Sequence, residues 1–153
     1  MAMLAVGVGA CSVSDYGQNR PLQVAFATVD EGFSSGMRER RFVVIKAQKE
    51  WESLWREHKS AGSPRKEVPA VDFKQEMLIG VFSGEKRTGG YRIEITKIEE
   101  DSSKNQLSVH FSETAPPPDS MAVQMLTQPY HIVKLKRVDS PVVFVPVSGS
   151  PRG

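Results

Sequence analysis

Cysteine is almost missing: Cys11 is the only one in 153 residues. No intramolecular disulfide can form, and a zinc site with two or more thiolates is excluded. Histidine is nearly as scarce, with His58, His110 and His131 far apart in sequence, so we expect neither a metal nor a cofactor. No apolar run approaches the roughly 20 residues that a bilayer-spanning helix needs. Charge of one sign is not in excess either. Lys and Arg number 20 against 18 Asp and Glu, a formal charge of +2, which gives no electrostatic reason for a nucleic-acid partner. Catalytic signatures are absent too: there is no G-x-S-x-G elbow, no H-E-x-x-H and no P-loop. Cys11 precedes the folded part and, once lipidated, has no thiol to act as a nucleophile. The expectation is a protein that is not an enzyme.

What is present suits a soluble globular domain, with 39% hydrophobic and 25% charged residues. The length fits one domain. A chain of this size buries about 68–70% of its unfolded surface, so a core can form without disulfides or a structural metal. Residues 1–10 (MAMLAVGVGA) are apolar or small and uncharged. They are too short to span a membrane but match the apolar core of a signal peptide. Val8, Gly9, Ala10 and Cys11 resemble the bacterial lipobox, in which the cysteine is lipidated and becomes the mature N-terminus. No Lys or Arg precedes the run, a departure from the usual basic start. The alternative is a disordered leader with an incidental thiol. The organisation expected is a leader over 1–10, a tether over 11–20, one β-rich domain over 21–147 and a disordered tail over 148–153. The protein is expected to be exported to the bacterial periplasm or cell surface and held at the membrane through lipid on Cys11. A stable anchor takes more than one acyl chain, which a multiply acylated cysteine supplies.

Hydrophobic periodicity orders the domain. Residues 21–29 suggest a first strand, 32–36 a loop and 38–46 a strand with its apolar run at Phe42 to Ile45. In 47–60, Trp51, Leu54, Trp55 and His58 fall at i, i+3, i+4 and i+7, the signature of one helical face. Residues 77–82 (MLIGVF) are continuously apolar, as in a strand covered on both sides. Tyr91, Ile93 and Ile95 alternate with polar residues, as do Leu107, Val109 and Phe111, so two half-buried strands form a hairpin across the polar turn 100–105. Ile98 breaks the alternation and points to a bulge. Residues 121–126 read as strand or loop, while 130–136 and 142–147 read as the last two strands. The fold class expected is α+β, mainly β. It would be an antiparallel sandwich or open barrel of six to seven strands with one helix packed on it.

Few residues point to chemistry. His58 reads as a helix C-terminal residue, His110 as a solvent-facing histidine, and Glu99, Glu100 and Asp101 as a solvated charge run. His131 shares parity with Val133 and Leu135, which points to a partly buried, hydrogen-bonded histidine, with contact to a ligand as the alternative. Two segments stand out as partner-binding candidates. Thr88, Gly89, Gly90 and Tyr91 join two strands, and the paired glycines permit positive φ or expose amides to a partner; a tight turn closed by a core tyrosine is the simpler explanation. Pro129, Tyr130 and His131 open a strand with an amphipathic aromatic of the kind common at recognition surfaces.

Several segments occur in a familiar order: Glu50-Trp51 to Trp55, Val71-Asp72-Phe73, 77–82, G-x-x-x-T-G-G-Y from Gly84 to Tyr91, Pro116 to Pro118, and LTQPYHIV over 126–133. Together they resemble the C-terminal domain of the PrcB-like proteins, a protease complex subunit family, from about Arg41 to Phe144. The resemblance implies an exported lipoprotein that acts as an accessory or assembly subunit of an extracytoplasmic protease complex. It also implies a non-catalytic interaction module whose partner is a protein, a protease or another subunit of such a complex. Thr88 to Tyr91 and Gln128 to Tyr130 are also distantly similar to two loops of the chagasin-like protease inhibitors. Lys86-Arg87 stands where those have Asn-Pro, and the middle Gly-rich loop is missing. A protease inhibitor, or a carrier with a small ligand in a sandwich cleft, are the alternatives.

Overall fold

The structure, a computed structural model, describes residues 20–60 and 67–148. The expected leader, Cys11 and the tail beyond Ser148 lie outside the described residues. Eight strands and one helix follow the order β1 (Leu22–Gln23), β2 (Phe26–Gly32), β3 (Arg41–Ile45), α1 (Gln48–His58), β4 (Glu76–Phe82), β5 (Arg92–Asp101), β6 (Gln106–Thr114), β7 (Tyr130–Lys136) and β8 (Val142–Val147). They form two four-stranded sheets, β1-β5-β6-β8 and β2-β7-β4-β3, a sandwich and not a closed barrel. All pairs are antiparallel except β6 with β8, which the sequence pattern did not indicate.

Each face of β4 has its own task. Met77, Ile79 and Val81 join Ile93, Ile95, Ile98, Leu107, Val109, Phe111, Val133 and Leu135 in the core between the sheets. Leu78 and Phe82, on the other face, pack beneath α1 with Trp51, Leu54, Trp55, Tyr130 and Ile132. Alternation along one strand therefore serves two cores, which is why the run has no polar residue between its ends. The helix covers the second sheet only. Its four face residues Trp51, Leu54, Trp55 and His58 are all buried, and each fully buried apolar side chain adds about 1.5–3 kcal/mol. Trp51 also donates its indole N–H to the Pro69 carbonyl at 2.9 Å, tying the segment after the helix back to it.

Two details differ from the sequence pattern. The expected strand over 21–29 is broken. Leu22–Gln23 pairs with β5 in one sheet, whereas Phe26–Gly32 pairs with β7 in the other. Val24 and Phe26 both pack on the inter-sheet core, so the chain keeps its apolar parity while crossing from sheet to sheet. The strand then runs on to Gly32 through a register shift between Thr28 and Asp30, carrying two acidic residues that its hydrophobicity does not reveal. In the β5–β6 hairpin the expected irregularity is present as a register shift between Ile95 and Lys97. Asp101 Oδ1 holds the turn by accepting the amides of Ser103 and Lys104, and Asn105 adopts φ 47°.

Truncating Trp51 removes the largest fully buried side chain and leaves the Pro69 carbonyl unpaired. Trp51→Ala should lower the unfolding free energy by about 3–5 kcal/mol, measured by urea denaturation.

Candidate functional site

The loop after β4 and the segment before β7 are bound edge to edge. Lys86 and Thr127 exchange backbone hydrogen bonds at 2.7 and 2.9 Å, Gly89 N–H donates to Val123 at 2.9 Å, and Ser83 N–H donates to Pro129 at 3.0 Å. Thr127 Oγ1 adds a bond to the Thr88 carbonyl. On the far side Gln128 N–H donates to the Phe33 carbonyl at 2.7 Å. These bonds draw three stretches remote in sequence around an open groove of about 860 Å³. Gly89, Gly90 and Tyr91 lie along it, Arg92 and Glu94 of β5 with Ser112 and Thr114 of β6 line it, and Phe33, Val123 and Met125 form its apolar side. The segment over 121–126 is loop, not strand. Met121 is fully exposed, and Val123, Met125, Leu126 and Phe33 are each at least half exposed. Main-chain bonds at Val123, Met125 and Thr127 hold this loop while its apolar side chains face water.

The two glycines do different work. Gly90 has φ 91°, and a Cβ there would stand 2.8 Å from Pro116 Cβ; only glycine fits this turn. A Cβ on Gly89 would meet nothing closer than 3.8 Å. The Gly89 amide is taken by Val123, so it is not a free donor for a partner. Tyr91 is half-buried, with Lys86 Nζ 5.3 Å from its ring centre.

Pro129, Tyr130 and His131 are placed differently from the first pair of candidates: all three are buried. Tyr130 packs edge-on against His58 at 4.3 Å. Burial and the adjacent Asp30, which its hydroxyl hydrogen-bonds, push its pKa well above the usual phenol range. His131 points between the sheets. Its Nδ1 accepts the Ile95 amide of β5 at 2.9 Å, so Nδ1 is unprotonated, and Nε2 lies 2.9 Å from Thr28 Oγ1 of β2. Neutral imidazole with its proton on Nε2 meets both bonds. Burial is the main force holding the His131 pKa below its ordinary value; Glu31 and Glu94 act against it. His110 sits half-buried on the outer face of its sheet, with Nε2 3.7 Å from Glu99, too far for a hydrogen bond.

A constellation that sequence reading missed lies beneath the helix end. Ser35 Oγ is 2.8 Å from His58 Nδ1, and His58 Nε2 is 3.0 Å from Asp30 Oδ2. Lys59 Nζ also reaches Asp30, at 2.6 Å. Burial opposes ionisation of Asp30, but hydrogen bonds from His58 and Lys59, with the charge of Lys59, outweigh it and hold the pKa at about 2. Serine, histidine and aspartate in this order resemble a hydrolase relay, yet Ser35 is 1% exposed and His58 0%. The Ser35 hydroxyl also accepts the Met37 amide. A nucleophile must meet its substrate, and in this arrangement none can reach Oγ. The trio instead fastens β2, the loop after it and the helix C-terminus together. No sequence motif marks it, because its members are separated by 5 and 23 residues and meet only on folding.

Two expectations follow. Gly90→Ala should cost about 1–3 kcal/mol, the usual strain of a non-glycine residue at positive φ, whereas Gly89→Ala should stay within about 0.5 kcal/mol; thermal melts of the pair decide it. His131 sets a pH dependence. Above its ordinary pKa of 6.5 it is neutral in both states, and its contribution is complete. As pH falls below 6.5 the unfolded chain takes up the proton first, so stability is lost until the folded histidine titrates. Urea midpoints at pH about 7.5 and about 5.5 should differ more for the wild type than for His131→Gln.

Among known proteins, no curated protein and no solved structure gives a match. A family model does, over residues 77–136. That stretch runs from β4 through β7 and contains the groove residues from Gly89 to Thr127, within the wider resemblance expected over 41–144. Over these residues the chain is similar to the PrcB C-terminal family.

Proposed function

We propose that this domain is a non-catalytic interaction module and that the groove beside Gly89 is its contact surface. The observation that carries the reading is the row of apolar side chains on the groove loop, Met121, Val123, Met125 and Leu126, with Phe33 beside them. Contiguous exposed apolar groups on a rigid backbone mark interaction sites. The loop's internal hydrogen bonds mean little ordering entropy is left to lose on binding. The family match supports association with a protease complex, with this chain as an accessory or assembly subunit. Lipid on Cys11 would tether it at the periplasmic or outer surface of a bacterial membrane. A protease inhibitor of the chagasin kind would need both loops to project, and burial of Pro129 and Tyr130 argues against that. A carrier would enclose its ligand, and this groove is open.

A photo-crosslinking residue at Val123 in the full-length protein, expressed in its own cells, should capture a component of a protease complex, identified by mass spectrometry. Gly89→Phe, which fills the groove without backbone strain, should cut that capture by about tenfold or more, equivalent to about 1.4 kcal/mol, while the melting curve stays in place. Capture unaffected by a folded Gly89→Phe protein would move the contact surface elsewhere. Cys11→Ser should release the protein into the soluble fraction.

A further inference from the structure

Four methionines lie among the described residues, and they divide sharply. Met77 is fully buried and Met37 is 2% exposed. Their sulfurs are built into the fold: Met77 Sδ lies 3.4 Å from the Val138 amide, and Met37 Sδ is in contact with Arg41 Nη2. Met121 and Met125 are 101% and 57% exposed; Met125 lines the groove, and Met121, four residues earlier on the same loop, lines the adjoining hollow that shares Gly89, Gly90 and Val123 with it. That loop is held by main-chain bonds, Gly89 N–H to Val123 and Met125 N–H to Val123, with the Lys86–Thr127 pair at its end. No contact holding it in place runs through either exposed sulfur.

We propose that Met121 and Met125 are oxidation sites that convert the loop beside the groove from apolar to polar without unfolding the domain. A peroxide oxygen is transferred to each thioether sulfur. The sulfur is oxidised by two electrons to the sulfoxide, the O–O bond breaks, and the peroxide is reduced to water. Thioether-to-sulfoxide conversion turns a flexible apolar side chain into a polar, chiral one and is enzymatically reversible. At a methionine-bearing contact surface it removes the apolar character that docking uses. The same reaction at Met37 or Met77 would place a polar S–O group inside a packed core, so the fold itself sets which sulfurs react. The effect on docking rests on the groove being the contact surface; the selectivity of oxidation does not.

The test uses the folded full chain treated with hydrogen peroxide and analysed by peptide mapping. Met121 and Met125 should each gain one oxygen at least about ten times faster than Met37 and Met77, the order set by sulfur exposure. The doubly oxidised protein should keep its melting temperature. Its enhancement of 8-anilinonaphthalene-1-sulfonate fluorescence should fall below that of untreated protein, and Met121→Leu/Met125→Leu protein should keep its enhancement after the same treatment. Equal oxidation of all four methionines, a lowered melting temperature at double oxidation, or dye fluorescence that is absent beforehand or indifferent to oxidation would each overturn the proposal. If selectivity and dye response hold while the Val123 crosslinker captures no protein, the oxidation site stands and the protease-complex reading fails.

Discussion

A carboxylate held out of water organises one end of this domain. Asp30 has a side chain only 20% exposed, and its charge is tolerated because His58, Lys59 and Tyr130 surround it. Each partner comes from a different place: the last helical residue, the residue after it, and the first residue of β7. Removing one partner from a buried charged pair typically costs about 3–5 kcal/mol, because the remaining charge is left uncompensated. Orientation follows from this more than net stability does. A bridge that is costly to break fixes how the helix end meets β2, and so fixes the chain that leaves β2. Phe33 and Ser35 lie on that exit. Gly36 follows, so close to the helix that a Cβ would stand 2.2 Å from the Glu57 carbonyl.

The groove inherits its rigidity from this arrangement. Phe33 donates no side-chain polarity, but its carbonyl accepts the Gln128 amide, and Gln128 begins the stretch that runs into β7. The loop over 121–127 is thus pinned on one side to the chain after β2 and on the other to the chain after β4. Main-chain bonds at Val123, Met125 and Thr127 hold it in place while its apolar side chains stand exposed.

Much of this was legible in the residues. The i, i+3, i+4, i+7 pattern of Trp51, Leu54, Trp55 and His58 marked the helix. The unbroken apolar run of β4 announced a strand with two covered faces, and the parity break at Ile98 announced the irregularity in β5. Local periodicity carries such information because each element is decided by neighbours in sequence. What periodicity cannot carry is pairing at a distance. The division of 21–32 between two sheets depends on which edge each half finds. The parallel β6–β8 pair depends on the route of the chain after Lys136. Tyr130 read as a residue of a recognition surface because tyrosine is common there, whereas the parity of His131 with Val133 and Leu135 already pointed to partial burial. Their burial depends on Asp30, Thr28 and the Ile95 amide, two of which lie about 100 residues away. For the same reason the 88–91 motif read two ways, and the structure divides it: Gly90 is a turn requirement and Gly89 is open space beside the groove.

The family match spans β4 to β7 and leaves out Asp30, Ser35 and the helix. Within it lie the β5–β6 hairpin that floors the groove, the pinned loop and the histidine that bolts the two sheets together. Sheet-to-sheet registration by His131 and loop registration by Lys86 and Thr127 both belong to this matched unit, so the groove's floor and most of its wall are specified together. Only Phe33 and Ser148 reach it from outside. A partner seated there would contact the matched unit first and the helix-bearing part little, so the helix and its buried carboxylate support the surface from behind without forming part of it. The chemistry of the site follows from that division. The serine and histidine that a hydrolase would bring to an open cleft are buried here, their aspartate is engaged by His58 and Lys59, and none of the three lines the groove, whose apolar side carries methionine, valine and phenylalanine.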